Sequence, residues 1–350
     1  MWNNLPSENV YKERMRLEHF MKRSMKTLFV LVLALALSCA ACTPSATVIT
    51  KETITQLAGS PVLQSSEALT GKWTLDGKAF WLKGVRTADL YDSQTFQAVA
   101  SYDVGEYGAL YDTSPDGKLI AYALDEPSIV LYDVIAEQEI ARIPQDTFVQ
   151  LAAFSPDGKT LGIASSDTWS IDLWDITAGQ VSQTLTGFET AAPVYSFQFG
   201  ADGKTILWMA RGTIQPMDMA SAALGPEMNH EDFISSFALS PDGDLLATSA
   251  AGSVDGDFKP LVTIWDAHSG EALAVFSNDD YFSSLAFSPD GKLLAAGNNG
   301  KILFWDASTY QSAGEIITAA GYVDSLQFSP DGTRLLTCTT EGSVQMWQVE

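Results

Sequence analysis

Basic residues are scarce in this sequence: 20 Lys and Arg stand against 43 Asp and Glu over 350 residues, a formal charge of −23. A chain so short of cations is poorly suited to nucleic acid, whose phosphates are bound through Lys and Arg that displace counterions. Cysteine is nearly absent, with three in all, which excludes a disulfide-built scaffold. Histidine is equally rare, at three. The longest uninterrupted apolar run, LFVLVLALAL at positions 28–37, has ten residues. A bilayer-spanning helix needs about 20. Apolar residues still make up 46% and charged residues 18%, so the chain has enough to build a core and is not disordered by composition.

The short apolar run follows Lys22, Arg23 and Lys26, the layout of a secretory signal, with Met21 or Met25 as alternative starts and residues 1–20 as an extension or a misassigned beginning. Behind it come Cys39 and Cys42 among small residues. A cysteine at this place resembles the lipobox of bacterial lipoproteins, in which the thiol is lipidated and the cysteine becomes the first mature residue. The resemblance implies lipidation at Cys42, behind Ala40-Ala41, or at Cys39, with a plain cleavable signal as the bland alternative. The expected layout is a signal peptide over 21–41, lipidation site and tether over 42–47, and one domain over 48–350. Residues 1–41 hold six of the bases and three of the acids, so the remainder carries 14 against 40. Such a surface is repelled by anionic lipid, so the only expected membrane attachment is the acyl chains. The address implied is the bacterial cell envelope, on the extracytoplasmic side of a membrane.

From residue 48 onward the sequence repeats. TLDG at 74–77, SPDG at 114–117, 155–158, 240–243, 288–291 and 329–332, and GADG at 200–203 recur at intervals of 40 to 48 residues. Apolar residues alternate ahead of the phrase, as at Phe237 and Leu239 or Leu326 and Phe328, and period two marks a strand with one buried face. Three further short strands fit into each unit, the pattern of a propeller blade. Pro presets φ, Asp bonds its own backbone and Gly accepts positive φ, so the phrase is a tight turn between the first two strands. Its aspartates, Asp76 to Asp331, are therefore turn residues rather than catalytic acids or metal ligands. The third strand closes on Tyr91-Asp92, Tyr132-Asp133, Trp174-Asp175, Met217-Asp218, Trp265-Asp266, Trp305-Asp306 and Trp347-Gln348.

Phrase, spacing and Trp-Asp together resemble the WD40 repeat family over residues 48–350. The resemblance implies an all-β, seven-bladed WD40-like propeller. The family's Gly-His pair is almost absent, with His230 alone near its slot, so the hydrogen-bond network that locks most eukaryotic repeats of the family is expected to be missing. The last unit stops after its third strand, and the N-terminal stretch 48–63 is expected to supply the fourth and close the ring.

Catalysis finds little support. His230 and His268 are far apart and form no metal-type pair, and there is no nucleophile elbow or phosphate loop. No enzyme activity, cofactor or metal is expected, with a hydrolase or quinoprotein-like propeller enzyme as the alternative. Cys338 reads as a buried, inert thiol. Residues 252–259 lengthen one unit and read as a flexible acidic loop, with too few ligands for calcium despite Asp255 and Asp257.

The most informative register lies seven residues before each phrase: Glu67, Tyr107, Phe148, Pro193, Phe233, Tyr281 and Tyr322. Glu106, Asp232 and Asp280 directly precede three of the aromatics, and Asp146 lies two before Phe148. These positions fall where an outer strand loops to the next inner strand, at one end of the channel. They read either as caps on the blades or as a binding face of Tyr107, Phe148, Phe233, Tyr281 and Tyr322 backed by Glu106, Asp232 and Asp280. The function expected is a membrane-tethered module that recognises a protein, of unknown identity, or a small ligand.

Overall fold

Each turn phrase closes a hairpin for the reason its residues suggest. In the unit at Ser288, the hydroxyl donates to Asp290 Oδ1 at 2.6 Å and accepts from the Leu293 amide at 3.0 Å. Asp290 Oδ1 also accepts from the Lys292 amide, and Gly291 takes φ +70°. The same arrangement recurs at Ser114, Ser155, Ser240 and Ser329. Four residues after the aspartate that ends each third strand, the chain again turns left-handed, on Phe96, Glu137, Gly179, Ala222, Gly270 and Tyr310. Two chemically fixed turns per unit thus leave one end of every sheet.

The computed structural model describes residues 46–350 apart from 125–126, 166–169, 187–195, 211, 231 and 255–256. The expected signal peptide, with Cys39 and Cys42, lies outside the described residues, as do Pro193 and Asp255. A single turn of 3-10 helix at Ile54–Gln56 precedes β1 (Leu57–Gln64). The first four-stranded sheet is β2 (Thr70–Trp73), β3 (Ala79–Lys83), β4 (Thr87–Asp92) and β5 (Ala98–Asp103). The second is β6 (Ala109–Thr113), β7 (Leu119–Ala123), β8 (Ser128–Asp133) and β9 (Gln138–Pro144). The third is β10 (Val149–Phe154), β11 (Thr160–Ser165), β12 (Ile171–Asp175) and β13 (Gln180–Leu185). The fourth is β14 (Ser196–Phe199), β15 (Thr205–Ala210), β16 (Thr213–Asp218) and β17 (Met228–Asn229). The fifth is β18 (Ser236–Leu239), β19 (Leu245–Val254), β20 (Asp257–Asp266) and β21 (Ala272–Ser277). The remaining strands are β22 (Ser284–Phe287), β23 (Leu293–Gly297), β24 (Asn299–Asp306), β25 (Ser312–Phe328), β26 (Arg334–Thr339) and β27 (Ser343–Val349).

The architecture is an all-β propeller, but the expectation of seven blades is corrected. Five discrete four-stranded blades are present, and the chain's last strands form one seven-stranded sheet in the order β1-β27-β26-β25-β24-β23-β22. The cause is β25, 17 residues without a break. Its first part pairs with β24, down to Lys301↔Ile317, and its last part, Val323–Phe328, pairs with β26. Elsewhere the passage between sheets carries turn-forming residues, such as Asp103 and Gly105 or Asn278 to Asp280. Here it is Thr318-Ala319-Ala320-Gly321, with no Pro, Asn or Asp to form a turn, and although Gly321 takes φ +97° the strand continues through it. Tyr322, expected on a loop, therefore sits within a strand, opposite Asn299.

The N-terminal β1 pairs antiparallel with β27, from Leu57↔Val349 to Gln64↔Ser343, and is the outer strand of the sheet in which the chain ends. Ile49 and Ile54, both buried, plug the same sheet beside Phe304, Ile316 and Trp347.

Between neighbouring sheets lie apolar clusters. Trp81, Leu90, Ile120 and Val130 join the first and second sheets. Leu69, Trp73, Leu82 and Phe80 meet Leu336, Cys338, Val344 and Met346 across the seam between the first and last sheets. Full burial of each such side chain contributes roughly 1.5–3 kcal/mol. Polar stitches join the innermost strands. Lys72 Nζ binds Asp112 at 2.8 Å, Asp112 accepts from the Phe154 amide, and the Ser325 hydroxyl accepts from the Gly71 amide.

The expectation of a flexible loop over 252–259 is corrected for its described residues, which lie in strands. β19 and β20 pair without interruption from Leu245↔Asp266 to Val254↔Asp257. The inner strand stops at Ser236↔Ser249 and the outer at Leu261↔Ser277, so the hairpin runs on alone for four residue pairs, about 13 Å.

Candidate functional site

Antiparallel strands alternate direction, so every blade has two chemically different ends. One, the turn face, carries the Ser-Pro-Asp-Gly turns and the left-handed turns after the third strands. The other, the loop face, carries the passages from each outer strand to the next inner strand, together with the links from second to third strand. All the aromatic residues of the sequence register belong to the loop face. Tyr107 lies between β5 and β6, Phe148 between β9 and β10, Phe233 between β17 and β18, and Tyr281 between β21 and β22. Tyr322 is at the same end, inside β25. Glu67, Glu106, Asp146, Asp232 and Asp280 occupy the same passages.

These rings do not cap blades from above in a buried way. Tyr107 is 70% exposed, Phe148 65%, Phe233 61% and Tyr281 53%, while Tyr322 is more covered at 37%. One further exposed ring went unread in the sequence. Phe258, 57% exposed, stands on the β19–β20 hairpin where it outruns its neighbours. The only signal available was the length of that unit. Among the described residues, every aromatic that is substantially exposed lies at the loop face. The exposed aliphatic side chains, by contrast, are found at both ends and on the outer strands, as Val85, Leu75, Val99 and Ile140 show.

Charge divides the same way. At the turn face several acids have a cation beside them: Lys78 with Asp76 at 3.5 Å, Lys118 with Asp116 at 3.9 Å, Lys292 with Asp290 at 3.3 Å, and Lys51 with Asp306 at 2.8 Å; others there, such as Asp133, Asp175 and Asp218, have no ion pair among the described residues but accept from turn amides. Backbone amides and hydroxyls hold Asp76, Asp92 and Asp266 below the ordinary range; Asp306 is lowered too, with the Lys51 hydrogen bond as the largest cause. At the loop face, Glu106, Asp146, Asp232, Asp279, Asp280 and Glu341 have no ion pair among the described residues. The cations of that end are mostly engaged: Lys83 donates to Tyr111 O at 2.7 Å and Lys259 lies 3.9 Å from Asp257. Burial lowers the Lys83 ammonium below its usual value and raises the Asp324 carboxyl above its own.

The residues weighed for chemistry are accounted for by packing. Cys338 is buried, and desolvation pushes its thiol up to about 12, so it is no thiolate nucleophile at neutral pH. His268 is exposed and meets Asp244 at 3.0 Å on the turn face. His230 packs edge-on against Trp265, with ring centroids 5.2 Å apart, and its Nε2 has no hydrogen-bond partner. Desolvation lowers it to about 4. Two third-strand tryptophans are tied to the neighbouring strand: Trp265 Nε1 donates to Thr248 Oγ1 at 2.7 Å and Trp347 Nε1 to Thr337 Oγ1 at 3.0 Å. A cleft of about 520 Å³ lies on the turn side, lined by Ser60, Phe96, Thr333, Arg334 and Met346 among others. The Arg334 guanidinium there is already committed, donating to Ser93 O and Gly77 O and lying 4.8 Å from the Trp73 ring centroid. Among the described residues no group of side chains is placed to hold a metal, and no helix is long and apolar enough to cross a membrane.

The comparisons with known proteins agree with this geometry. The family model "WD domain, G-beta repeat" matches residues 227–259, 260–306 and 314–348. An uncharacterised WD repeat-containing protein of Synechocystis is 32% identical over 145 residues. That match takes in 40% of this chain and spans 40% of the relative's length. Three stretches of the chain thus match WD40 repeats, within a fold that is an all-β propeller.

Proposed function

We propose that this protein is a binding module of the bacterial cell envelope, held to a membrane on its extracytoplasmic side by lipid on Cys42 or Cys39, and that it recognises a protein partner with the loop face. The observation that carries the binding reading is the segregation of exposed aromatic rings to that face. Tyr and Trp are enriched where interfaces concentrate their energy, and a solvated ring contributes no burial until something covers it. The anchoring reading rests on the apolar run at 28–37 and the cysteines behind it. The point of entry suits it. The Ile49 amide bonds Gly332 O at 2.9 Å, in a turn of the turn face. A tether of a few residues, each reaching at most about 3.6 Å, keeps that face towards the membrane and leaves the aromatics pointing away.

Crosslinking with mass spectrometry in native membranes tests the binding reading. Wild type is compared with a variant carrying Tyr107→Ala, Phe233→Ala, Tyr281→Ala and Tyr322→Ala, once circular dichroism shows that the variant folds. A partner captured by wild type and lost from the variant is the expected result; a partner that survives moves the interface to the blade edges. For the anchor, Cys42→Ser and Cys39→Ser are fractionated separately, and one of them is expected to release the protein from membranes. Retention of the double variant sinks that part of the reading.

A further inference from the structure

The two faces of the propeller treat charge differently, and this asymmetry points to the chemistry of the partner. Resting on the reading that the loop face binds a protein, we infer that its occupant is a basic polypeptide segment, rich in Lys or Arg, lying across several blades.

Three observations converge on a cation. First, four of the turn-face acids lie beside a lysine two residues on in sequence, and the carboxylates of that end, paired or not, accept hydrogen bonds from the backbone amides of their own turns. Those acids exist to shape turns. The loop-face acids Glu106, Asp232 and Asp280 make no ion pair among the described residues and sit beside exposed rings rather than in turns that use them. Like charges gathered in this way cost electrostatic energy unless a cation arrives. Second, the rings beside them are Tyr107, Phe233 and Tyr281, and aromatic faces attract ammonium and guanidinium groups by about 0.5–2 kcal/mol each. A carboxylate one residue from an exposed ring offers both halves of such a site. Third, Phe258 and the lone end of the β19–β20 hairpin stand at the same face, and the Asn278 amide, two residues before Asp280, bonds Pro260 O at 3.1 Å. The hairpin is thereby braced beside the Asp279–Tyr281 passage as a wall.

Extent argues for a chain rather than a small ligand. The acids and rings come from passages before β6, β10, β18 and β22, so they belong to several separate sheets. A small molecule is held by a concave pocket that buries most of its surface, whereas a spread of anchors suits an interface of roughly 800 Å² per partner. Anionic lipid and nucleic acid are disfavoured by the same charges.

A polycation is drawn to any part of so acidic a chain, so the decisive comparison is between faces at equal charge. The probe is a fluorescein-labelled 16-residue peptide of repeating Gly-Ser-Lys-Arg, with a Gly-Ser-Glu-Asp peptide as control, titrated with the folded chain from residue 42 onward. Binding of the basic peptide alone is expected, weakening as salt rises. Glu106→Gln with Asp280→Asn is expected to lower affinity at least tenfold, and Tyr107→Leu with Tyr281→Leu, which changes no charge, at least fivefold. Asp244→Asn with Glu271→Gln removes the same charge from the turn face and is expected to change affinity less than twofold. Equal losses from both faces, equal binding of both peptides, or no binding overturns the inference. If crosslinking places a partner on the loop face while the basic peptide does not bind, the inference fails and the binding reading stands. A partner found only on blade edges removes both.

Discussion

A single aspartate shows how this chain spends its acidity. Asp290 accepts from the Ser288 hydroxyl and the Lys292 amide, and its carboxylate is held below the ordinary range although desolvation, the largest single cause, works the other way. Removing such a partner from a turn costs about 1–2 kcal/mol. Ser288→Ala and Asp290→Ala are each expected to lower stability by that amount in urea unfolding, and the double variant by less than the sum, because both belong to one network. His230 gives a pH dependence of definite sign. Its folded pKa, about 4, lies below the ordinary 6.5, so protons bind the unfolded chain first. Stability from this group is intact above pH 6.5 and is lost as pH falls towards 4, by about 1.4 kcal/mol per unit. His230→Phe is expected to flatten that part of a pH–stability curve. The turn role of the aspartates was legible in the sequence, since Pro-Asp-Gly admits few other readings. The Arg334 clamp was not. Its partners Gly77 and Ser93 lie more than 240 residues away, and no local pattern announces such a contact.

The elements that departed from expectation did so through turn chemistry. Period-two alternation located the strands, but it cannot say where a strand ends when nothing bends the chain. Thr318–Gly321 has no turn-former ahead of Gly321, and two expected sheets became one. Replacing Ala319-Ala320 by Pro-Asp is expected to interrupt β25 there and to lower the melting temperature by several degrees, because the Ala319 amide loses its bond to Gln345 Oε1. The extra length at 252–259 reads in the sequence as a flexible acidic loop, yet Phe258, Pro260 and the β-branched residues after them continue a strand. Lys259 sits on the edge that β21 leaves unpaired, where its charge discourages another chain from adding on. Replacing 253–258 by Asn-Gly is expected to leave the melting temperature within about 2 °C, since that tip pairs only with itself, while weakening basic-peptide binding. A binding curve unchanged by that replacement removes the hairpin from the interface.

For the whole molecule, composition established the excess of acid but not where it goes uncompensated. That distribution appears only when the strands alternate and sort the acids onto two ends. Ring closure was legible because the final unit lacks a fourth strand and a stretch of the right length remains at the other end of the chain. Ile54→Ala, which empties a fully buried site beneath the closing sheet, is expected to cost about 2–5 kcal/mol in chemical unfolding. A loss under 1 kcal/mol places the closure elsewhere.

The segment ahead of β1 has a mechanical consequence. A pull on the chain before Ala46 does not reach the β1–β27 ladder directly. It meets first the Ile49–Gly332 hydrogen bond, then the ion pair from Lys51 to Asp306, then the wedge of Ile54 under Phe304 and Ile316. The Glu350 amide, bonded to Gln56 O, ties the last residue to the same spot. Tension from that side is thus shared between both ends of the polypeptide before any strand slides, and the clasp of the ring is relieved of strain in the manner of a knot tied ahead of a seam.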